Sequence, residues 1–231
     1  MHIMEGYLPH PWWEFWLVIS LPVVAFGVRR LNKLIRDKRD LLPLVAVSGA
    51  FIFVFSSLKL PSVTGSCSHP TGTGLSSILF GPAITSVLAT IVLVYQALFL
   101  AHGGLTTLGA NIFAMGIAGP IVGITIYKIS MKSGLNLFLA VFLASALADL
   151  TTYFVASLQL ALAFPASSGG IAASFTAFAA VFAVTQLPLA IVEGIVTALL
   201  FKYILQAKSE VLIKLNVISA DTLAKIKETW A

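Results

Sequence analysis

The feature that most constrains this chain is a series of apolar runs suited to crossing a lipid bilayer as helices. A helix rises 1.5 Å per residue, so a hydrocarbon core about 30 Å thick requires about 20 residues. Six runs are near or above that length, and a seventh is about half as long; in chain order they lie at 12–31, 41–58, 71–81 (the short one), 82–101, 105–130, 135–162 and 174–205. Charged residues make up only 10% of the chain, against about 25% in soluble domains. We predict an all-α, polytopic membrane protein with a single domain, 1–231.

The distribution of cations predicts the topology. Cytoplasmic loops of membrane proteins carry an excess of Lys and Arg. The loop after the first run contains Arg29, Arg30, Lys33, Arg36, Lys38 and Arg39. This loop should therefore be cytoplasmic, with the N-terminus outside.

The short run at 71–81 decides where the later cations lie. If it crosses, the cytoplasmic side also holds Lys128, Lys132, Lys202, Lys208, Lys214, Lys225 and Lys227, and only Lys59 lies outside. If it re-enters without crossing, those seven all lie outside, against the rule. We predict seven transmembrane helices, the third one short, with the C-terminus in the cytoplasm of a multi-pass cell-membrane protein.

The tail and the net charge say less about function. Residues 208–231 have amphipathic spacing, which predicts a cytoplasmic or interfacial helix. The net charge of +5 does not indicate nucleic acid, because the cations flank apolar spans and form no patch interleaved with aromatic residues. The partner that this composition predicts is the lipid bilayer.

The N-terminus offers an unusual set of metal ligands. The chain begins MHIMEG, and an α-amine, the backbone nitrogen of His2 and the His2 Nδ1 can close a five-membered and a six-membered chelate ring around one ion. A nitrogen of His69, in the outer loop PSVTGSCSHPTGTG, would complete a square. Square-planar nitrogen coordination favours Ni(II) and Cu(II), and a rigid site can impose it on Co(II). We predict that residues 1–11 form an extracytoplasmic metal-binding loop with Met1, His2 and His69 as ligands, provided that Met1 is retained.

Several nearby groups could support these ligands. Glu5 could fix the N-terminal loop by hydrogen bonds, and Cys67 and Ser68 directly precede His69 in the outer loop. A small buried thiol is the commoner role for a free cysteine. His102 is assigned a structural hydrogen-bonding role near the end of the fourth span.

Two other function classes compete with metal capture. Asp149 and Glu193 lie within predicted spans, where ionisable groups mark function by default, so a secondary ion transporter or channel is the alternative. An intramembrane enzyme would need a nucleophile with a base or a metal-bound water, and the HExxH pattern is absent from the sequence.

Three stretches of this sequence together resemble one family. MHIMEG at the start, GSCSHPTGTGL in the outer loop and the following LFGP are similar to the CbiM/NikM family. These proteins are the substrate-capturing S components of energy-coupling-factor transporters for cobalt and nickel. The resemblance covers nearly the whole chain.

The resemblance implies both a site and partners. It places the metal on the Met1 amine, the His2 backbone and ring nitrogens and the His69 ring. It implies a membrane coupling subunit of the CbiQ type, an ATPase of the CbiO type and a small accessory membrane protein. Ala46 and Ala50 resemble the small-residue face that S components pack against the coupling subunit. No phosphate-binding GxxxxGK[ST] loop occurs here, so we expect ATP hydrolysis on a partner. The nitrogen set serves cobalt and nickel alike. The Cys-Ser-His loop resembles the cobalamin-linked branch of the family, and this resemblance implies cobalt.

Overall fold

The computed structural model describes residues 2–61 and 66–230, which form a bundle of eight helices with three short strands at one end. A 3-10 turn at Arg39–Leu41 links the first two helices. The strands are β1 (His2–Ile3), β2 (Leu60–Pro61) and β3 (Ser66–Ser68). The helices are α1 (Trp12–Asp37), α2 (Leu42–Ser57), α3 (Thr73–Phe80), α4 (Pro82–Phe99), α5 (Leu108–Lys132), α6 (Leu137–Ala163), α7 (Gly170–Lys214) and α8 (Ala220–Trp230).

The helices follow the apolar runs closely. Each of the seven predicted runs contains one helix, and most boundaries agree to within a few residues. Five segments of the described chain are long and apolar enough to cross a membrane: α2 with its preceding turn, α4, α5, α6 and α7. The prediction of a mostly helical, multi-pass membrane protein is confirmed.

Two helix boundaries differ from the sequence prediction. The first helix continues to Asp37, so four of the predicted loop cations lie on the helix and not in a loop: Arg29, Arg30, Lys33 and Arg36. Arg and Lys are good helix formers, and an apolar pattern cannot show where a helix ends once it leaves lipid. The last long helix likewise continues past 205 to Lys214, with a break in helical geometry at Lys208.

The small sheet is a departure from the all-α prediction. Its strand order is β1-β3-β2, and both pairs are antiparallel, with His2 opposite Cys67 and Leu60 opposite Ser68. Strands of two or three residues are too short to show the alternation by which a strand is recognised. The sheet attaches the N-terminus to the loop that follows α2.

The long helices run between two opposite faces of the bundle. At one face, called here the N-terminal face, the Tyr7 ring lies 5.1 Å from that of Phe164, which follows α6. At the opposite face Lys214, at the end of α7, forms an ion pair of 2.6 Å with Asp40, which precedes α2. The helix α3 is only eight residues long, but it continues a loop that descends from the sheet into the bundle.

The interior is packed through small residues. Gly109 on α5 lies so close to α1 that a Cβ there would be 2.3 Å from the Leu17 Cα. A Cβ at Gly27 on α1 would likewise lie only 2.1 Å from the Ala83 carbonyl oxygen. Small residues at such crossings let helix backbones approach closely, which is how helices associate in lipid. The loops at the N-terminal face are thereby held on a rigid frame.

Candidate metal centre

The N-terminal arm, residues 2–11, is built into the protein by its backbone. The Ile3 N–H donates to Asn111 Oδ1 at 2.7 Å, and the Ile3 carbonyl accepts from Asn111 Nδ2 at 3.0 Å and from the Thr107 hydroxyl at 2.7 Å. On its other side Ile3 pairs with Ser66 of β3. Ile3 is thus held between a strand and the start of α5.

A second attachment lies a little further along the arm. The Gly6 N–H donates to the Thr106 hydroxyl at 3.0 Å, and the Glu5 carboxylate accepts from the Thr106 N–H at 3.2 Å. The hydrogen bonds that Glu5 accepts from Thr106 lower the pKa of its carboxyl group. Gly104 leaves the space that the arm occupies, because a Cβ there would lie 2.4 Å from the Glu5 Cα. The structure therefore gives Glu5 a place in fixing the arm.

Three of the four histidines meet behind this arm. His2 Nδ1 lies 2.6 Å from His69 Nε2, and the His102 ring centroid lies 4.1 Å from that of His2. Cys67 Sγ is 3.0 Å from His102 Nε2. One ligand atom from each of these four residues lies within 4.8 Å of the others, and all four are buried. We call this group the histidine cluster.

His69 is oriented by its own loop and by α6. Its Nδ1 lies 2.8 Å from the Pro70 carbonyl, which can only accept, so Nδ1 carries the proton and Nε2 presents a lone pair to His2. The Tyr153 hydroxyl accepts from the His69 N–H and donates to the His69 carbonyl, both at 2.8 Å. A histidine held at three points is a preorganised ligand.

Burial keeps the cluster neutral. It lowers the pKa of His2 and of His69 well below the usual 6.5, with the neighbouring rings adding to the effect at His2. Burial also lowers the pKa of His102 to about 3 and raises that of the Cys67 thiol. The imidazoles are thus deprotonated at neutral pH and can offer nitrogen lone pairs without first losing a proton.

Apart from Glu5, which fixes the arm, the predicted site residues fall into four groups. His2, His69 and Cys67 come together in the cluster, while Met1 lies outside the described residues. Ser68 is buried beside them and its hydroxyl accepts from Thr185 on α7 at 2.8 Å. The other two, Ala46 and Ala50, are exposed one turn apart on α2 and do not belong to the cluster.

Sequence reasoning missed three residues of the site. His102 was assigned a structural role, and neither Asn111 nor Tyr153 was singled out. Their only signal is that each is a polar group beside or within an apolar run. Hydrogen bonds across about 100 positions, such as that from Ile3 to Asn111, leave no pattern in one sequence.

A buried polar layer lies directly beneath the histidine cluster. The Glu193 carboxylate accepts from the Thr71 and Gly72 N–H groups and from the Thr71 hydroxyl. It therefore provides hydrogen-bond acceptors for the backbone N–H groups at the N-terminus of α3. The N-terminus of a helix is a favourable place for an anion. Asp149 accepts a hydrogen bond from the Gln186 amide, which also lies 3.4 Å from the His69 carbonyl.

Comparisons with known proteins agree on one family. Residues 2–211 match the family described as CbiM, the cobalt uptake substrate-specific transmembrane region. A protein of Methanosarcina barkeri that carries the name of a cobalt transport protein, CbiM 2, is 64% identical over 98% of both chains. The "Cobalt transport protein CbiM" of Chlorobium limicola is 58% identical over 91% of this chain and 83% of that protein.

A solved structure shares the architecture. The crystal structure of a truncated transition metal transporter matches with a TM-score of 0.78 and 28% identity, covering 89% of this chain and 99% of that one. The likeness thus includes the fold as well as the sequence, and it spans nearly all of the bundle.

Proposed function

The chain belongs to the CbiM family of cobalt-uptake membrane proteins, and on that premise we propose that it is the subunit that captures Co(II) or Ni(II) for an ATP-driven energy-coupling-factor transporter. The observation that carries this proposal is the distance of 2.6 Å between His2 Nδ1 and His69 Nε2, in two buried and neutral rings. Two lone-pair nitrogens approach this closely when one proton or one cation lies between them.

The spacing of the two nitrogens suits adjacent ligands of one ion. Metal–imidazole bonds of about 2.0 Å place two ligands at a right angle about 2.8 Å apart. The remaining two corners of a square would come from the Met1 amine and the His2 backbone nitrogen, which form chelate rings with the His2 side chain. A planar set of four nitrogens selects late transition metals over Zn(II), Mg(II) and Ca(II).

The path of the chain supports seven membrane crossings. With α3 and its descending loop counted as one crossing, each helix from α1 to α7 begins at the face where its predecessor ends. The cation-rich segment from 29 to 39 then lies at the opposite face together with Lys128, Lys132 and Lys214. By the positive-inside rule that face is cytoplasmic, and the buried histidine cluster lies on the outer side of the cell membrane.

Energy for uptake is assigned to partner subunits. A site that holds an ion through three chelating nitrogens on one strand releases it slowly, since all must detach together. We propose a coupling subunit of the CbiQ type, an ATPase of the CbiO type and a small accessory membrane protein as partners. The exposed Ala46 and Ala50 on α2 provide a small-residue surface of the kind on which membrane helices pack.

The alternative, a secondary transporter or channel, is not favoured. It relied on Asp149 and Glu193 as ion-carrying groups. Glu193 is instead occupied by the backbone at the start of α3. The family match and the named relatives also point to cobalt uptake.

The test is to alter the N-terminal amine. Addition of one residue before Met1 removes the amine from the chelate and changes which amide is available. We expect titration of the purified chain with Co(II) or Ni(II) to show loss of tight binding, with thermal unfolding of the metal-free protein unchanged. His10→Ala is the matched control, because His10 is an exposed histidine on the same arm. Equal affinity of the extended and native chains would refute the proposed site.

A further inference from the structure

The second ring nitrogen of His2, Nε2, is buried and has no hydrogen-bond partner of good geometry among the described residues. The first, Nδ1, faces His69 Nε2 at 2.6 Å. A neutral imidazole carries one proton, on one nitrogen or the other. If Nδ1 binds an ion, the proton must be on Nε2, and a buried N–H group needs an acceptor.

The Gln96 side chain lies beside the His2 ring. Gln96 is in the last turn of α4, and its backbone carbonyl accepts from the His102 N–H at 3.2 Å. Burial lowers the pKa of His2, and the hydrogen-bonding contact with the Gln96 side chain acts in the opposite direction. A neighbour that favours the protonated ring is an acceptor. The acceptor atom of Gln96, Oε1, is itself buried and otherwise unpaired in the part of the chain that the structure describes.

Two serines at the end of α2 fix the direction in which the Gln96 amide points. Gln96 Nε2 lies 2.9 Å from the Ser56 Oγ and 3.0 Å from the Ser57 Oγ. Each serine hydroxyl donates its one proton to a carbonyl of its own helix, at 2.6 and 2.7 Å. The two hydroxyl oxygens can therefore only accept, so the amide presents its NH2 group to them. The carbonyl oxygen of the amide is left for the His2 ring.

Two acceptors thus compete for the single proton of His2. One is His69 Nε2, whose lone pair is free because the proton on His69 Nδ1 is used by the Pro70 carbonyl. The other is Gln96 Oε1. A proton on His2 Nδ1 blocks the atom that would bind the ion. A proton on His2 Nε2 leaves two nitrogen lone pairs, from His2 and His69, directed at each other across 2.6 Å, which is the arrangement that a cation requires.

We propose that Gln96 is a positioning residue of the metal site: its Oε1 accepts from the His2 Nε2–H and so favours the tautomer whose Nδ1 binds the ion. In the metal-free protein the proton can instead lie between His2 and His69. When the ion takes Nδ1, the proton has a paired place on Nε2, and His2 need not lose it to solvent. This inference rests on the proposed function of metal capture.

The first test removes the acceptor. Gln96→Leu keeps nearly the same volume without the amide oxygen. We expect Co(II) or Ni(II) affinity of the purified chain to fall about tenfold or more, as is usual when a metal-binding histidine loses its outer partner. Thermal unfolding of the metal-free protein should change little, because the His2 proton can remain with His69. If leucine prevents folding, Gln96→Met, which is unbranched and of similar reach, replaces it.

Three variants separate positioning from a brace between α4 and α2. The double variant Ser56→Ala, Ser57→Ala breaks that link but keeps the acceptor, and it should lower affinity about threefold or less. Gln96→Glu keeps an acceptor of the same length and should bind the ion more tightly than Gln96→Leu. Gln159→Leu is the matched control, since Gln159 is also buried with an unpartnered Oε1 but its amide donates to the Ala110 carbonyl at 3.1 Å. Its metal affinity should equal that of the native chain.

The tautomer can be observed directly. Square-planar Ni(II) is diamagnetic, so the Ni(II)-loaded chain labelled with ¹⁵N-histidine is suited to NMR. We expect a proton on His2 Nε2, with a downfield shift that reports its hydrogen bond. In Ni(II)-saturated Gln96→Leu that signal should move upfield or be lost to exchange. A brace between helices would not change it.

Two results would overturn the inference. One is a Gln96→Leu chain that binds Co(II) or Ni(II) as tightly as the native chain. The other is a double serine variant that loses as much affinity as Gln96→Leu, because Gln96 would then only join two helices. Failure of the native chain to bind either ion would instead refute the proposed function.

Discussion

The Asn111 side chain binds the backbone of Ile3 as a neighbouring β-strand would, accepting from its N–H at 2.7 Å and donating to its carbonyl at 3.0 Å. One amide thus continues the small sheet beyond its edge. Because Ile3 directly follows His2, this pair of hydrogen bonds fixes the position of the proposed chelate relative to α5.

Loss of this amide should weaken metal binding without loss of a ligand. In Asn111→Leu the Ile3 N–H is left buried and unpaired, at a cost of about 1–3 kcal/mol. We expect Co(II) or Ni(II) affinity to fall about tenfold or more, with faster dissociation, in stopped-flow measurements on the purified chain. Asn136→Ala is the control. It removes the N-cap of α6, where Asn136 Oδ1 accepts from the Phe138 N–H, and should cost about 1 kcal/mol of stability while metal affinity is kept.

A methyl group at Gly104 should displace the arm. The Cβ of Gly104→Ala would lie 2.4 Å from the Glu5 Cα and 2.7 Å from its N. These are backbone atoms, so no side-chain rotation relieves the contact. We expect metal affinity to fall at least as far as in Asn111→Leu.

The control for that variant is Gly49→Ala on α2, where the nearest atom to an added Cβ is 3.8 Å away. Alanine is the better helix former by about 1 kcal/mol, so this variant should be as stable as the native protein or more so, with unchanged metal affinity. If both alanine variants bind alike, the arm does not determine the site.

The sequence predicted the bundle well because lipid imposes a simple rule. A chain that must satisfy its backbone hydrogen bonds inside a bilayer forms helices of nearly fixed length, so the seven apolar runs each located a helix. The rule stops at the membrane surface. It could not show that α1 continues through Arg29, Arg30 and Lys33, nor that His2 and Ile3 pair with β3.

The candidate site was predictable only where local chemistry sufficed. A histidine beside a terminal amine defines a chelate by itself, so His2 could be proposed from the sequence, and the histidine in the outer loop followed from topology. His102 and Asn111 depend on how α4 and α5 pack against the arm. Those contacts are fixed by the fold and not by any spacing along the chain.

Cys67 should support the site as a thiol and not bind the ion. Burial raises the pKa of Cys67, and His102 Nε2 lies 3.0 Å from its Sγ as a hydrogen-bond partner. Cys67→Ser keeps that hydrogen bond and should change Co(II) affinity by about threefold or less. The Co(II)-loaded native chain should show no sulfur-to-metal charge-transfer absorption.

His102 should matter more than Cys67, because its ring packs on that of His2 at 4.1 Å. His102→Ala leaves a cavity beside the proposed ligand, and removal of a group that orients a metal-binding histidine costs about tenfold or more in affinity. His69→Ala should cost more still. A charge-transfer band that disappears in Cys67→Ser would instead make the thiolate a ligand.

Stability of the metal-free protein should fall as the pH is lowered through the range just below 6.5. His2, His69 and His102 have folded-state pKa values below that of an unfolded histidine, about 3 for His102. Between the folded and unfolded values the unfolded chain binds more protons, so stability is fully present above pH 6.5 and is lost as the pH falls. Each such histidine contributes a slope of about 1.4 kcal/mol per pH unit.

Thermal unfolding in detergent between pH 7.5 and 5 should show the decline. His69→Ala should make it shallower, whereas His10→Ala, which alters an exposed ring, should not. Saturating Co(II) or Ni(II) should raise the unfolding temperature most at pH 7.5, because acid competes with the ion for the same nitrogens. A metal-free protein equally stable at pH 7.5 and 5 would mean that the three rings are not buried as a neutral cluster.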